Sequence, residues 1–100
     1  MVRLNGIDAP EKHSKNDIEV EAGIHVMYYL TQLLTNKTLY LQTIKYEDKY
    51  GRYLAEVYIN EASMLHSINQ LLIDNKLVHK YDGGTKLLWT DEELINIMKI

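Results

Sequence analysis

The chain has 100 residues, of which 46% are hydrophobic and 25% charged, with a formal net charge of −3 and no cysteine. This composition predicts one small globular domain and excludes disulfides, thiolate nucleophiles and zinc–thiolate sites. The negative charge argues against a protein that coats nucleic acid through a broad basic surface, although it allows a small basic site.

Membrane and secretion signals are not found in the sequence. No apolar stretch approaches the roughly 20 residues that cross a bilayer. Charges and a proline interrupt the first residues, MVRLNGIDAPE, so they do not form a signal peptide. We therefore expect no membrane partner, and a cytoplasmic location if the N-terminus is complete.

The apolar pattern predicts, in chain order, a strand, a helix, a hairpin and a second helix. The predicted bounds are residues 2–7 for the strand, 17–34 for the helix, 38–46 and 53–59 for the hairpin strands, and 67–75 for the second helix. Asp17 is the predicted cap of the first helix and Asn36 its stop. Gly51 supplies the freedom for a positive φ in the hairpin connection.

The C-terminal part predicts a turn and one more helix. Asp82-Gly83-Gly84 reads as the turn, and the run to Lys86 lacks the spacing of a phosphate-binding loop. Thr90-Asp91-Glu92-Glu93 has the form of a capping box at the start of a last short helix. The order of elements indicates an α+β fold, in a single domain over residues 1–100.

Asp8 and Glu11 stand three apart around a proline, just after the first strand. Without context, such a pair is either a turn with a helix-capping acid or half of a metal site with a base beside it. The 11 basic residues include only two arginines, Arg3 and Arg52. Arginine's planar fork of donors suits the gripping of a phosphate, although codon chance explains two residues equally well.

Three segments resemble the staphylococcal nuclease (thermonuclease) family: RLNGIDAPE (residues 3–11), DKYGRYLAEVYI (48–59) and INQLLIDNKLV (68–78). The resemblance covers roughly residues 2–81, and residues 82–100 add the turn and the C-terminal helix. It implies an OB-fold-like small β-barrel with two to three packed helices. It also implies calcium-dependent cleavage of phosphodiester bonds in DNA or RNA.

The resemblance assigns chemical roles to matching positions. Arg3 and Arg52 match the two catalytic arginines, and Glu11 matches the glutamate that orients or deprotonates the attacking water. Since both arginines of the chain fall on catalytic positions, the resemblance gains weight.

Further positions match the metal and substrate sites of the family. Asp8 matches a calcium carboxylate, and Ala9 a residue that offers calcium its backbone carbonyl. Lys49 and Tyr50 match neighbours of the bound phosphate. Tyr81 is a further candidate for stacking on a base.

The resemblance also implies a departure at the front of the chain. In the family, two strands that carry a further calcium aspartate precede the arginine-bearing strand. Without them we expect an incomplete barrel, weak calcium binding and an open strand edge along residues 2–7 that favours self-association. The alternative function is a non-catalytic module that binds a protein or single-stranded nucleic acid, with the negative charge favouring a protein.

Overall fold

A computed structural model describes residues 2–45 and 53–100 of the chain. The strands are β1 (Val2–Leu4), β2 (Ile7–Asp8), β3 (Leu39–Lys45), β4 (Tyr53–Glu61), β5 (Met64–Ser67) and β6 (His79–Lys80). The helices are α1 (Asp17–Leu34), α2 (Ile68–Asp74) and α3 (Asp91–Met98).

Strand β4 is the centre of the larger sheet. It pairs in parallel with β1 and antiparallel with both β3 and β5. The register places Arg3 opposite Leu54, and a bulge interrupts the β3–β4 pairing between Thr43 and Lys45. Strands β2 and β6 form a separate antiparallel pair. Within the described residues the larger sheet does not close into a barrel.

The core lies on one face of β4. Ala55, Val57 and Ile59 alternate along the strand and are buried, as the period of two requires. The core cluster also takes residues from both ends of the chain, namely Ile7, Ala22, Val26, Ile68, Leu72, Leu77, Val78, Leu94 and Ile97. Helices α1 and α3 pack against each other, and α2 packs on β4.

The helix ends follow from local side-chain chemistry. Helix α1 is capped by Asn16, whose side chain accepts a hydrogen bond from Ile18 N, one residue before the predicted cap Asp17. Asn36 has the left-handed φ expected of a stop. Helix α3 begins with the predicted capping box between Thr90 and Glu93.

The predicted α+β class is confirmed, together with the hairpin strands β3 and β4 and all three helices. The strand predicted over residues 2–7 is divided into β1 and β2 by a turn, and β5 and β6 were not predicted. The predicted connection with Gly51 lies outside the described residues. None of the helices described is long and apolar enough to cross a membrane.

In the part of the chain that the structure describes, β1 lies at the edge of the larger sheet and pairs with β4. Among these residues the predicted open edge is limited to Val2–Leu4, because Ile7–Asp8 is paired with β6. Self-association through the β1 edge stays a prediction.

Candidate functional site

The turn between β1 and β2 brings Arg3 and Asp8 to one corner of the molecule. Gly6 has a φ of 77°, a conformation that glycine adopts without strain, and it reverses the chain between the two strands. Across this turn, Nη2 of Arg3 donates a hydrogen bond to the carbonyl oxygen of Ile7 at 3.2 Å. The guanidinium is thereby held beside the residue that precedes Asp8.

Asp8 is the more enclosed of the two predicted acids. It pairs with His79 in the β2–β6 ladder, and its side chain is only 12% exposed. Nζ of Lys86 lies 3.3 Å from its Oδ1. A carboxylate withdrawn from water requires a compensating charge or hydrogen bond, and Lys86 supplies one.

Tyr81 borders both positive charges of this corner. Cζ of Arg3 is 5.1 Å from the centre of its ring, and Nζ of Lys86 is 5.6 Å from the same point. The hydroxyl donates to the carbonyl of Gly84 at 3.0 Å. Both cations are within the range of a cation–π contact. We call Arg3, Asp8, Tyr81 and Lys86 the corner cluster.

Glu11 lies in the exposed loop that follows β2, and its position depends on α1. Its backbone N–H donates to Glu19 Oε2 at 2.8 Å, and its own Oε1 accepts from His13 N at 3.0 Å. At Gly23 the helix approaches this loop so closely that a Cβ would stand 2.8 Å from the carbonyl oxygen of Pro10. Glu19 and Gly23 therefore position the loop that carries Glu11.

A second polar group joins β6, the strand that pairs with Asp8, to the start of α3. Nε2 of His79 lies 2.7 Å from Oε2 of Glu93, and the His79 ring stacks on Trp89 at 3.6 Å. Hydrogen bonding to the backbone of Thr90 lowers the pKa of Glu93, and the hydrogen bond to His79 lowers it further against the opposing effect of burial.

The calcium site implied by the resemblance is incomplete in the described part of the chain. Calcium takes six to eight oxygen ligands, and its affinity depends on their charge. Asp8 offers one carboxylate, which already carries the Lys86 ammonium, and Ala9 is an exposed residue of the following loop. Residues 2–45 and 53–100 contain no group of three His, Asp or Glu side chains that could hold a metal. These residues alone do not form a complete calcium site.

The predicted site residues are only partly brought together. Arg3 and Asp8 share the corner cluster, and Glu11 lies on the loop that leaves it. Lys49, Tyr50 and Arg52 lie outside the described residues, so their proposed roles stay predictions.

Lys86 is the member of the corner cluster that sequence reasoning missed. The predicted turn before it is present, with a φ of 98° at Gly83 and a hydrogen bond from Gly84 N to Asp82 Oδ1 of 2.9 Å. A chain reversal returns the following residues toward the preceding strand. That reversal was the available signal that Lys86 comes back beside β6 and its partner Asp8.

Comparison with curated proteins finds a relative of this chain. The chain is 27% identical, over 115 aligned positions, to an uncharacterized protein of Methanocaldococcus jannaschii. The alignment covers 96% of this chain and 54% of that protein, so the chain spans about half the length of its curated relative. No solved structure matches the chain significantly.

A protein-family model also matches most of the chain. Residues 1–92 match the family described as staphylococcal nuclease homologue, whose domain is OB-fold-like, in keeping with the mixed sheet and packed helices. The match contains the whole corner cluster and the Glu11 loop. The chain therefore belongs to the staphylococcal nuclease homologue family.

Proposed function

We propose that this chain binds nucleic acid at the corner cluster and hydrolyses its phosphodiester bonds. The observation that carries the proposal is the meeting of Arg3 and Asp8 at the β1–β2 turn of a nuclease-family domain. Glu11, on the loop leaving that turn, presents an exposed carboxylate nearby. Family membership supports nucleic acid as the substrate class.

Hydrolysis of a phosphodiester requires a water to attack an already negative phosphorus centre. Arg3 carries a guanidinium that keeps its charge and can donate to two phosphate oxygens at once. Its hydrogen bond to Ile7 O holds it before the substrate arrives. Such a preorganised donor stabilises the additional negative charge of the transition state.

The carboxylate of Glu11 is the proposed acceptor of the proton from the attacking water. Its Oε1 accepts one backbone hydrogen bond, from His13, which restrains the side chain. A carboxylate has room for further hydrogen bonds on its two oxygens, so this restraint is compatible with orienting a water.

Arg52 is proposed as the second arginine that binds the phosphate, with Lys49 and Tyr50 as neighbours of the substrate. Support comes from the sequence match and from the strand register. Tyr53, which follows Arg52 in the chain, pairs with Val2, which precedes Arg3. The resemblance implies calcium as the cofactor, with Asp8 and the Ala9 carbonyl as ligands. Because the described residues do not complete such a site, no step of the proposed hydrolysis is assigned to calcium.

The decisive experiment is digestion of heat-denatured DNA and of RNA by the purified chain, with calcium and with a chelator in separate reactions. We expect cleavage by the wild type in the reaction that contains calcium, and the reaction with the chelator shows whether calcium is required. The variants Arg3→Lys, Arg52→Lys and Glu11→Gln should each lose about 100–1,000-fold in rate while keeping their fold. Lys99→Met, a change in an exposed residue after α3, is the control. Undiminished turnover by Arg52→Lys would remove Arg52 from the mechanism.

A second function is favoured by the ammonium on Asp8: a module that binds nucleic acid without cutting it. The ion pair with Lys86 leaves Asp8 less available to a metal. The same digestion decides between the two functions, because this module would bind single-stranded DNA in a mobility-shift assay and leave it intact under both conditions. Binding of a protein instead of nucleic acid would give neither a shift nor cleavage.

A further inference from the structure

Lys86 pairs with Asp8, the residue that the family resemblance assigns to calcium. Its Nζ is 3.3 Å from Asp8 Oδ1, and that carboxylate is mostly withdrawn from solvent. We propose that Lys86 is a phosphate-binding residue that supplies the positive charge at Asp8, so that the corner cluster binds a nucleic-acid phosphate without a divalent metal. The choice of a nucleic-acid phosphate rests on the proposed function; the charge arrangement does not.

The ammonium of Lys86 retains donors for a ligand while it pairs with Asp8. A lysine ammonium has three N–H donors. The Lys86 side chain is 56% exposed, in contrast to the enclosed Asp8. One side of the ammonium therefore neutralises the carboxylate, and the remaining donors are accessible to a phosphate oxygen from solvent.

The arrangement of charges around Tyr81 attracts an anion. Cζ of Arg3 and Nζ of Lys86 lie 5.1 and 5.6 Å from the centre of the same ring, so both positive charges border Tyr81. Asp8 compensates one of them. The corner cluster consequently carries one excess positive charge on a chain whose net charge is −3. A phosphate that binds Lys86 would be attracted by this excess charge.

The same contacts make Lys86 a competitor of divalent cations. A metal that approached Asp8 would either displace the ammonium or lie beside a like charge, and both reduce its affinity. The single carboxylate of the cluster could not offset this loss, since calcium affinity rises with the number of charged oxygen ligands. Removing the ammonium should therefore improve calcium binding and weaken phosphate binding at the same time.

The first test measures binding of a fluorescent single-stranded oligothymidylate by anisotropy, in EDTA, over a range of salt concentrations. We expect the wild type to bind and Lys86→Met to bind about three- to tenfold more weakly. The slope of log affinity against log salt should fall by about 0.7, the value for one lost phosphate contact on a single strand. Lys86→Arg should retain most of the affinity, and Lys99→Met should keep the wild-type slope.

The second test is calorimetric titration of calcium, without nucleic acid, into the wild type, Lys86→Met and Lys86→Arg. Lys86→Met should bind calcium more tightly than the other two proteins. Circular dichroism spectra establish that each variant is folded. If Lys86→Met does not fold, Lys86→Gln, which also removes the charge but keeps a hydrogen-bond donor for Asp8, replaces it in both tests.

The inference is overturned if oligothymidylate binding by the wild type requires calcium. It is equally overturned if Lys86→Met keeps the affinity and salt slope of the wild type, or if its calcium affinity does not rise. Absence of DNA cleavage would overturn the proposed nuclease activity and leave these equilibrium measurements unaffected. The two proposals can therefore fail separately.

Discussion

Nδ2 of Asn69 lies 2.8 Å from the carbonyl oxygen of Asn5, a residue 64 positions away in the chain. The same buried side chain also donates to Ala55 O at 3.2 Å and accepts from Val57 N at 3.1 Å. One amide thus joins α2 to the end of β1 and to β4. Since Asn5 belongs to the turn that presents Arg3 and Asp8, the geometry of the corner cluster depends on this contact.

Replacing Asn69 by alanine should destabilise the domain severely. The side chain is 2% exposed, so its removal leaves the Val57 N–H and the Asn5 carbonyl without this partner, whereas Ala55 O keeps the hydrogen bond from Asn5 N. Each such group costs about 1–3 kcal/mol, and we expect a total loss of about 2–4 kcal/mol. Urea unfolding measures it, with Asn60→Ala at an exposed position of β4 as the control. A loss no greater than that of the control would show that Asn69 does not hold the turn.

Gly23→Ala tests the approach of α1 to the Glu11 loop. Inside a helix this change normally stabilises by about 0.5–1 kcal/mol. Here the new Cβ would meet the backbone oxygen of Pro10 at 2.8 Å, and overpacking of this kind costs about 1–3 kcal/mol. The clash should prevail, with a net loss of stability in urea and lower nuclease activity. A more stable Gly23→Ala protein would contradict the close approach.

The helices could be predicted from the sequence because their signals are local. The apolar stripe of α1 and the Thr90–Glu93 capping box of α3 each lie within a few turns of chain. The cap of α1 was shifted by one residue, because Asn16 and Asp17 are both good capping residues and only the backbone decides between them.

Strand β5 could not be predicted because its turn lacks the usual residues. Ala62 and Ser63 connect β4 to β5, and both have a positive φ, as in a type I′ turn. That turn ordinarily carries Asn-Gly. An Ala-Ser pair gives no such signal, so the chain between β4 and α2 had no reason to be assigned a hairpin.

Ala62→Asn combined with Ser63→Gly should therefore stabilise the β4–β5 hairpin. A non-glycine residue in the left-handed region costs roughly 1–2 kcal/mol, part of which is offset by the greater freedom of glycine in the unfolded chain. We expect a net gain of about 1 kcal/mol, which raises the Tm of a domain of this size by about 4–8 °C. Thermal unfolding checks the sign. An unchanged or lower Tm would count against the left-handed turn.

Lys76→Gly should stabilise the end of α2 by the same mechanism. Lys76 has a φ of 59° and Leu77 N donates to Leu72 O at 3.0 Å, as in a Schellman motif, where glycine is preferred. We expect a gain of about 1 kcal/mol in urea unfolding. Asn36→Gly is the matched control at the end of α1, and its gain should be smaller because asparagine tolerates this conformation.

The site was predictable only as far as its parts are close in sequence. Arg3 and Asp8 are joined by one short turn, so a motif of nine residues contains both. Lys86 reaches Asp8 through the pairing of β2 with β6. Strands β2 and β6 have only two residues each and lie near opposite ends of the chain. Such short strands leave no periodic pattern in the sequence, because a period of two becomes visible only over several residues.

The hydrogen bonds of the Glu93 carboxylate with the Thr90 backbone and with His79 should make stability depend on pH below about 4.5, the usual pKa of a glutamate. Hydrogen bonding to the Thr90 backbone, and secondarily to His79, lowers the pKa of Glu93 in the folded protein. A lowered folded pKa means that the unfolded state takes up the proton first as the pH falls. The stabilisation from ionised Glu93 is therefore fully present above pH 4.5 and is lost as the pH falls through the folded pKa.

Glu93→Gln removes this titration and keeps an oxygen for the capping box. We expect the variant to be less stable than the wild type at neutral pH, with the difference shrinking as the pH falls below about 4.5. Urea unfolding at several pH values measures that difference. Glu92→Gln, which removes the same charge from an exposed position of the same turn, is the control for the helix dipole. A difference between Glu93→Gln and wild type that stays constant with pH would mean that the folded protein does not favour the ionised carboxylate, and the link between β6 and α3 would then rest on packing of His79 against Trp89 alone.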